Sequence, residues 1–167
     1  MYPLLWVLRV LAIALLIVAL ARPRTANVSS RTKTTKGIDI VMAIDISSSM
    51  LSRDLKPNRL TALKEVAQTF VSDRINDRIG LVVYAGESYT KTPITSDKAV
   101  VTDALSKLDY ERGVIDDGTA IGMGLATAVN RLKDSKALSK VIILLTDGVN
   151  NAGFVDPTTA AGLASTY

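Results

Sequence analysis

The sequence predicts an α/β fold, a doubly wound and mostly parallel sheet preceded by one transmembrane helix. Three observations carry this. Short β-branched apolar runs alternate with segments whose apolar residues recur at helical spacing. The runs are nearly continuous in apolar character, as strands covered on both faces are. The chain also begins with a long run that holds a single charge.

That first run, Pro3 to Ala21, has Arg9 as its only charge. As a helix it spans roughly 28 Å, close to the hydrocarbon thickness of a bilayer. Trp6 suits an interface, and Arg9 is near enough to one end to snorkel. A cleaved signal peptide is the rival reading, since "ALARP" resembles a cleavage site. No basic segment precedes the apolar run, which favours the anchor. Residues 1–21 are therefore read as a transmembrane helix. Residues 22–36, rich in Ser, Thr, Lys and Arg, read as a basic polar linker. Residues 37–167 are the globular part.

There, Ile38 to Ile46 predicts a strand. A helix follows Asn58, its candidate cap, with Leu60, Leu63, Val66, Ala67, Phe70, Val71 and Ile75 as its apolar stripe. Arg78 to Gly86 predicts a second strand. Ser88 to Ile94 alternates and carries Pro93, which suits a short edge strand. Ser96 is placed to cap a helix with Val100, Val101, Ala104, Leu105 and Leu108 on one face. A further helix starts at Thr119, with Ile121, Leu125, Val129 and Leu132 in line; Gly122 and Gly124 in it point to close packing on the sheet. Lys140 to Thr146 reads as the most clearly buried strand. Asp156 to Ser165 begins a last helix.

Composition removes whole classes of function. The chain has no Cys and no His, so disulfides, thiolate zinc sites and Ser-His-Asp catalysis are excluded. The net charge of +4 is unevenly placed. Arg9, Arg22, Arg24, Arg31, Lys33 and Lys36 face no acid before residue 37, so the rest, with 14 of the 20 bases and all 16 acids, is −2. That balance argues against a nucleic-acid surface.

In sheets of this kind, ligands bind beyond the carboxyl ends of strands where the strand order reverses. Two such ends carry oxygen chemistry. Asp45-Ile46-Ser47-Ser48-Ser49 follows the first strand, and Thr146-Asp147-Gly148 follows the apolar "VIILL" run. "DDGT", ending at Thr119, lies between them. If the two strands are neighbours, both carboxylates share a crevice with several hydroxyls. Two close carboxylates repel, and a hard divalent cation relieves them. Oxygen ligands alone suit Mg²⁺ or Mn²⁺. Asp45, Ser47 and Ser49 alternate, so they point the same way and Ser48 elsewhere. Each member alone has a plainer reading, as a serine-rich turn, a helix cap or an Asp-Gly turn. Asp116 and Asp117 read as loop solvation, and Glu87 as rim.

D-x-S-x-S at a strand end, Thr119 at a helix start and Asp147 after a later strand together resemble the von Willebrand factor type A domain. The likeness covers residues 37–167. It implies a vWA/Rossmann-like fold whose metal-ion-dependent adhesion site here is Asp45, Ser47, Ser49, Thr119 and Asp147. By that resemblance Ser47 and Ser49 ligate the metal, Thr119 ligates directly or through water, and Asp45 and Asp147 hold ligand waters. An open position then takes an acidic side chain from a partner. "GIDIVMAIDISSSM", "DRIGLVVYAGESYTKTPIT" and "DDGTAIGMGLATAVNRLKDSKALSKVIILLTDG" are similar to the bacterial Bat aerotolerance proteins of the BatA type. This implies a bacterial inner-membrane protein working with a MoxR-type AAA+ ATPase and other VWA proteins.

Six strands in the order 3-2-1-4-5-6 are usual in that family. Only four are legible here, so the domain is expected to be partial, with the Lys140–Thr146 strand at an edge. Lys and Arg counts put the C-terminal flank in the cytoplasm; an upstream helix and basic loop, usual in the Bat group, would invert this to the periplasm. The leading expectation is a non-enzymatic metal-dependent binding module. Its alternatives are a Mg-dependent phosphoryl-transfer enzyme with Asp45 as nucleophile and a chelatase-like complex subunit.

Overall fold

Seven consecutive buried residues, Asp39–Asp45, form strand β1. In the computed structural model, which describes residues 2–20, 37–110 and 116–167, β1 is the spine of the globular part. The expected linker, residues 22–36, lies outside the described residues. The chain divides into two units, Met1–Thr34 and Thr35–Tyr167.

The first unit contains helix α1, Tyr2–Leu20. Its described apolar side chains are exposed, Trp6 among them. Among the described residues no helix is long and apolar enough to cross a membrane.

In the second unit a short 3-10 turn, Ser48–Leu51, follows β1, and helix α2 covers Arg59–Asp73. Asn58 caps α2 as expected, its Oδ1 accepting from the Thr61 amide at 2.8 Å. Strand β2, Arg78–Tyr84, runs parallel to β1, and β3, Ser88–Thr95, lies antiparallel outside it. Helices α3, Lys98–Ser106, and α4, Ile121–Leu132, lead to strand β4, Lys140–Leu145. Helix α5, Pro157–Ala164, then lies against α4. The sheet order is β3-β2-β1-β4, with β4 parallel to β1. Chain order therefore reverses between β1 and β4, and a crevice opens at their carboxyl ends.

Alternation along the strands divides the core. Ile40, Met42, Ile44, Ile79, Leu81 and Val83 pack with Leu60, Ala67, Val71, Val101 and Leu105 of α2 and α3. Val41, Ala43, Val82 and Tyr84 face α4, where Ala128 and Leu132 close the second layer. Gly124 of α4 permits this approach, since a Cβ on it would lie 2.6 Å from the Tyr84 ring. Gly122 packs elsewhere, since its Cβ would strike the Val155 carbonyl in the segment before α5.

Four expectations change. The Lys140–Thr146 strand is not the most buried: β4 is an edge of the sheet, its residues are half-buried and Val141 is exposed, because β1 covers only one side of it. Asp97, not Ser96, caps α3, because its carboxylate accepts from two amides, Ala99 at 3.0 Å and Val100 at 3.4 Å. Ala120 takes the N-cap position of α4, with no side-chain cap, and Thr119 stands just before it. Val66 and Val100 face solvent, and Ile75 falls beyond the end of α2 and is exposed.

Candidate metal centre

Asp45 ends β1 with no exposed surface. Its Oδ1 accepts from the Ser47 amide at 2.9 Å, and its Oδ2 from the Thr146 hydroxyl at 2.9 Å. The first bond bends the chain out of the strand; the second joins the ends of β1 and β4. From the bend, Ser47 Oγ lies 2.9 Å from Ser49 Oγ. Ser49 in turn donates to Asp147 Oδ1 at 2.9 Å. The alternation read from the sequence is realised: Ser48 turns away and donates to Asp117 Oδ2 at 2.6 Å.

Thr119 comes to the same place by a different route. Its amide donates to Asn151 Oδ1 at 2.7 Å, and its carbonyl accepts from the Asn151 amide at 3.1 Å. Next to it, the Ala120 amide bonds the Ala85 carbonyl beyond the end of β2 at 2.7 Å. The Thr119 hydroxyl thereby lies against the Asp147 turn, since a Cβ on Gly148 would sit 3.5 Å from its Oγ1. Gly118, at φ 139°, provides the bend that a side chain would resist. All five residues read from the sequence thus converge. Asp45, Ser47 and Thr119 are buried, Asp147 is half-buried, and the cluster opens to solvent at Ser49.

The electrostatics are unbalanced. Burial pushes the Asp45 carboxyl above its usual range, and the nearby Asp147 charge adds to this; bonds from Ser47 and Thr146 offset it only in part. Below the cluster, burial likewise raises the Tyr84 phenol, which stays neutral. Among the described residues no three His, Cys, Asp or Glu gather as a metal site of that kind needs. The donors here are two carboxylates and three hydroxyls, with no nitrogen or sulfur. Such a set fits a hard divalent cation and not a soft one. A buried carboxylate whose charge the protein alone leaves disfavoured is what a cation would relieve.

Asn151 and Arg59 are not legible as site residues, and Asp117, read as loop solvation, instead holds the serine loop. Asn151 clamps Thr119 and Asp117 holds Ser48, while Arg59 reaches Asp147 Oδ2 with its Nη1 at 2.5 Å. Their partners lie 32, 69 and 88 positions away in sequence. Asn151 stands in a Gly-Val-Asn-Asn run whose composition signals a turn and nothing more.

Residues 40–150 match the family model of the von Willebrand factor type A domain. The chain belongs to that family. Its VWA domain superposes on BatB from Bacteroides thetaiotaomicron with a TM-score of 0.71, 33% identity, and coverage of 78% of this chain and 62% of that one. An aerotolerance-related membrane protein from Bacteroides fragilis gives the same score and identity, covering 78% and 63%. Proximal thread matrix protein 1 from the mussel byssus, in a form with a zinc-occupied MIDAS motif, matches with a TM-score of 0.67 and 30% identity, over 78% of this chain and 33% of that one. An uncharacterized Borreliella burgdorferi protein is 36% identical over 92% of this chain and 45% of its own length. The chain spans less than half of that relative.

Proposed function

We propose that this VWA domain is a non-enzymatic, divalent-metal-dependent protein-binding module that docks an acidic side chain of a partner. The observation that carries the reading is the convergence of Asp45, Ser47, Ser49, Thr119 and Asp147 at the switch point between β1 and β4. Ser47 and Ser49, with Thr119, would hold the cation through hydroxyl oxygens; Asp45 and Asp147 would hold its waters and supply charge. Mg²⁺ or Mn²⁺ suits this oxygen-only set, and the zinc-occupied site of the mussel relative supports a divalent ion of some kind. A cation with few anionic ligands remains electrophilic enough to capture a carboxylate when bound.

The surroundings support a docking face. Leu51, Leu55 and Val149, on the loops that carry Ser49 and Asp147, are exposed. Such side chains give a partner apolar surface to bury beside the polar cluster. Asp45 as a reacting nucleophile has less support, since its carboxylate is fully buried with both oxygens hydrogen-bonded.

The likeness to BatB and to an aerotolerance-related membrane protein supports a place in a bacterial aerotolerance or stress-response assembly. The partners proposed there are a MoxR-type AAA+ ATPase and other VWA proteins. The nearly uncharged run at residues 3–21 supports anchoring in the inner membrane. Capture from membranes tests the whole reading. A partner retained by wild type in Mg²⁺, released by EDTA and never retained by Ser49→Ala is expected; retention unchanged by EDTA overturns it.

A further inference from the structure

Arg59 is a cation already present at the cluster. It is the first residue of α2, and its amide bonds the Ser52 carbonyl at 3.0 Å, closing the loop between β1 and α2. Its guanidinium is shared between two carboxylates of different character. Nη1 lies 2.5 Å from Oδ2 of Asp147, whose side chain is 12% exposed. Nε lies 2.8 and 3.0 Å from the two oxygens of Asp54, and Nη2 lies 2.8 Å from Oδ2 of that residue, whose side chain is 55% exposed.

The other oxygen of Asp147 accepts the Ser49 hydroxyl. Asp147 is therefore the carboxylate common to the hydroxyl cluster and to the guanidinium. A dication drawn to the cluster meets a like charge within a few ångströms, and both seek the same carboxylate. Asp54 gives Arg59 a second partner, so the guanidinium can surrender Asp147 without stranding its charge. Competition of this kind is reciprocal: whatever Arg59 gains from Asp147 is subtracted from the metal's affinity.

We propose that Arg59 is an internal counter-cation, holding Asp147 in the metal-free protein and yielding it to a divalent ion, so that the Arg59–Asp54 pair sets the concentration at which the site fills. This rests on the metal-binding reading above and deepens it.

Isothermal titration of the full chain with Mg²⁺ tests it, comparing wild type, Arg59→Gln, Arg59→Lys and Asp54→Asn. Arg59→Gln is expected to bind Mg²⁺ on the order of tenfold more tightly. Its metal-free form melts lower than wild type, and the Mg²⁺-induced rise in Tm is larger. Arg59→Lys, which keeps the charge but loses the fork, is expected in between. Asp54→Asn is expected to bind more weakly, because the guanidinium then rests on Asp147 alone. In wild type, the Arg59 Nη1–H resonance, bonded to Asp147, is expected to shift on Mg²⁺ saturation; no shift counts against the release. Equal or weaker binding by a folded Arg59→Gln overturns the inference while leaving the metal site standing. If that variant does not fold, unchanged affinity in both Arg59→Lys and Asp54→Asn overturns it equally. Absence of any Mg²⁺ binding by wild type overturns the metal reading and this inference together.

Discussion

At the residue scale, burial and pairing work against each other in the two buried aspartates of β1. Among the described residues Asp45 has no opposite charge against it, whereas Asp39 has. Burial by itself raises Asp39, but the hydrogen bonds from Arg78 and Ser135, with the charges of Arg78 and Lys140, outweigh it and hold the carboxyl below its usual range. A lowered folded-state value means that the stabilisation is complete above the unfolded value and is lost as pH falls through the folded one. Stability should therefore drop as pH falls below about 4. Asp39→Asn should flatten that limb in thermal melts across the acid range. Asn151 offers a second check. Removing its side chain in Asn151→Ala frees the Thr119 amide, and Mg²⁺ affinity should fall by about 10–100-fold, as it does for supports behind a ligand. The sequence displayed Asp45, Ser47, Ser49 and Asp147 because they sit at strand ends in an alternating or Asp-Gly context. Thr119 was legible only as one member of the family's set. Asn151 and Arg59 were not, because a clamp made across many tens of residues leaves no local pattern.

At the element scale, the strand and helix periods were readable because each face of β1 meets its own apolar layer. Errors fell where context overrides pattern. The "VIILL" run reads as the most buried strand, yet an apolar run does not reveal how far its strand is covered, and among the described residues β4 has one neighbour in the sheet. The start of α3 differs by a residue because a carboxylate outcompetes a nearby hydroxyl, Asp97 over Ser96. The seat of α4 on the sheet depends on Gly124 more than on its apolar stripe. Gly124→Ala forces a methyl into the Tyr84 ring. It should destabilise the domain by about 1–3 kcal/mol, despite alanine's better helix propensity, as urea denaturation would show.

At the scale of the whole molecule, the sheet brings two distant segments to one crevice, and among the described residues its order places β4 at an edge. Open strand edges template association. Val141 is exposed on that strand, and Val141→Lys should lower self-association in analytical ultracentrifugation without changing Mg²⁺ affinity. The same order makes the metal cluster possible, because β1 and β4 are neighbours with Asp45 and Thr146 bonded across their ends. Ser49 is the exposed member of the set, so its removal perturbs the core least. Isothermal titration with Mg²⁺ of wild type against Ser49→Ala is the most direct measurement. Saturable one-to-one binding by wild type, weakened at least about tenfold in Ser49→Ala, is the expected result; equal binding by both proteins, or none by wild type, contradicts a cation held by these five side chains.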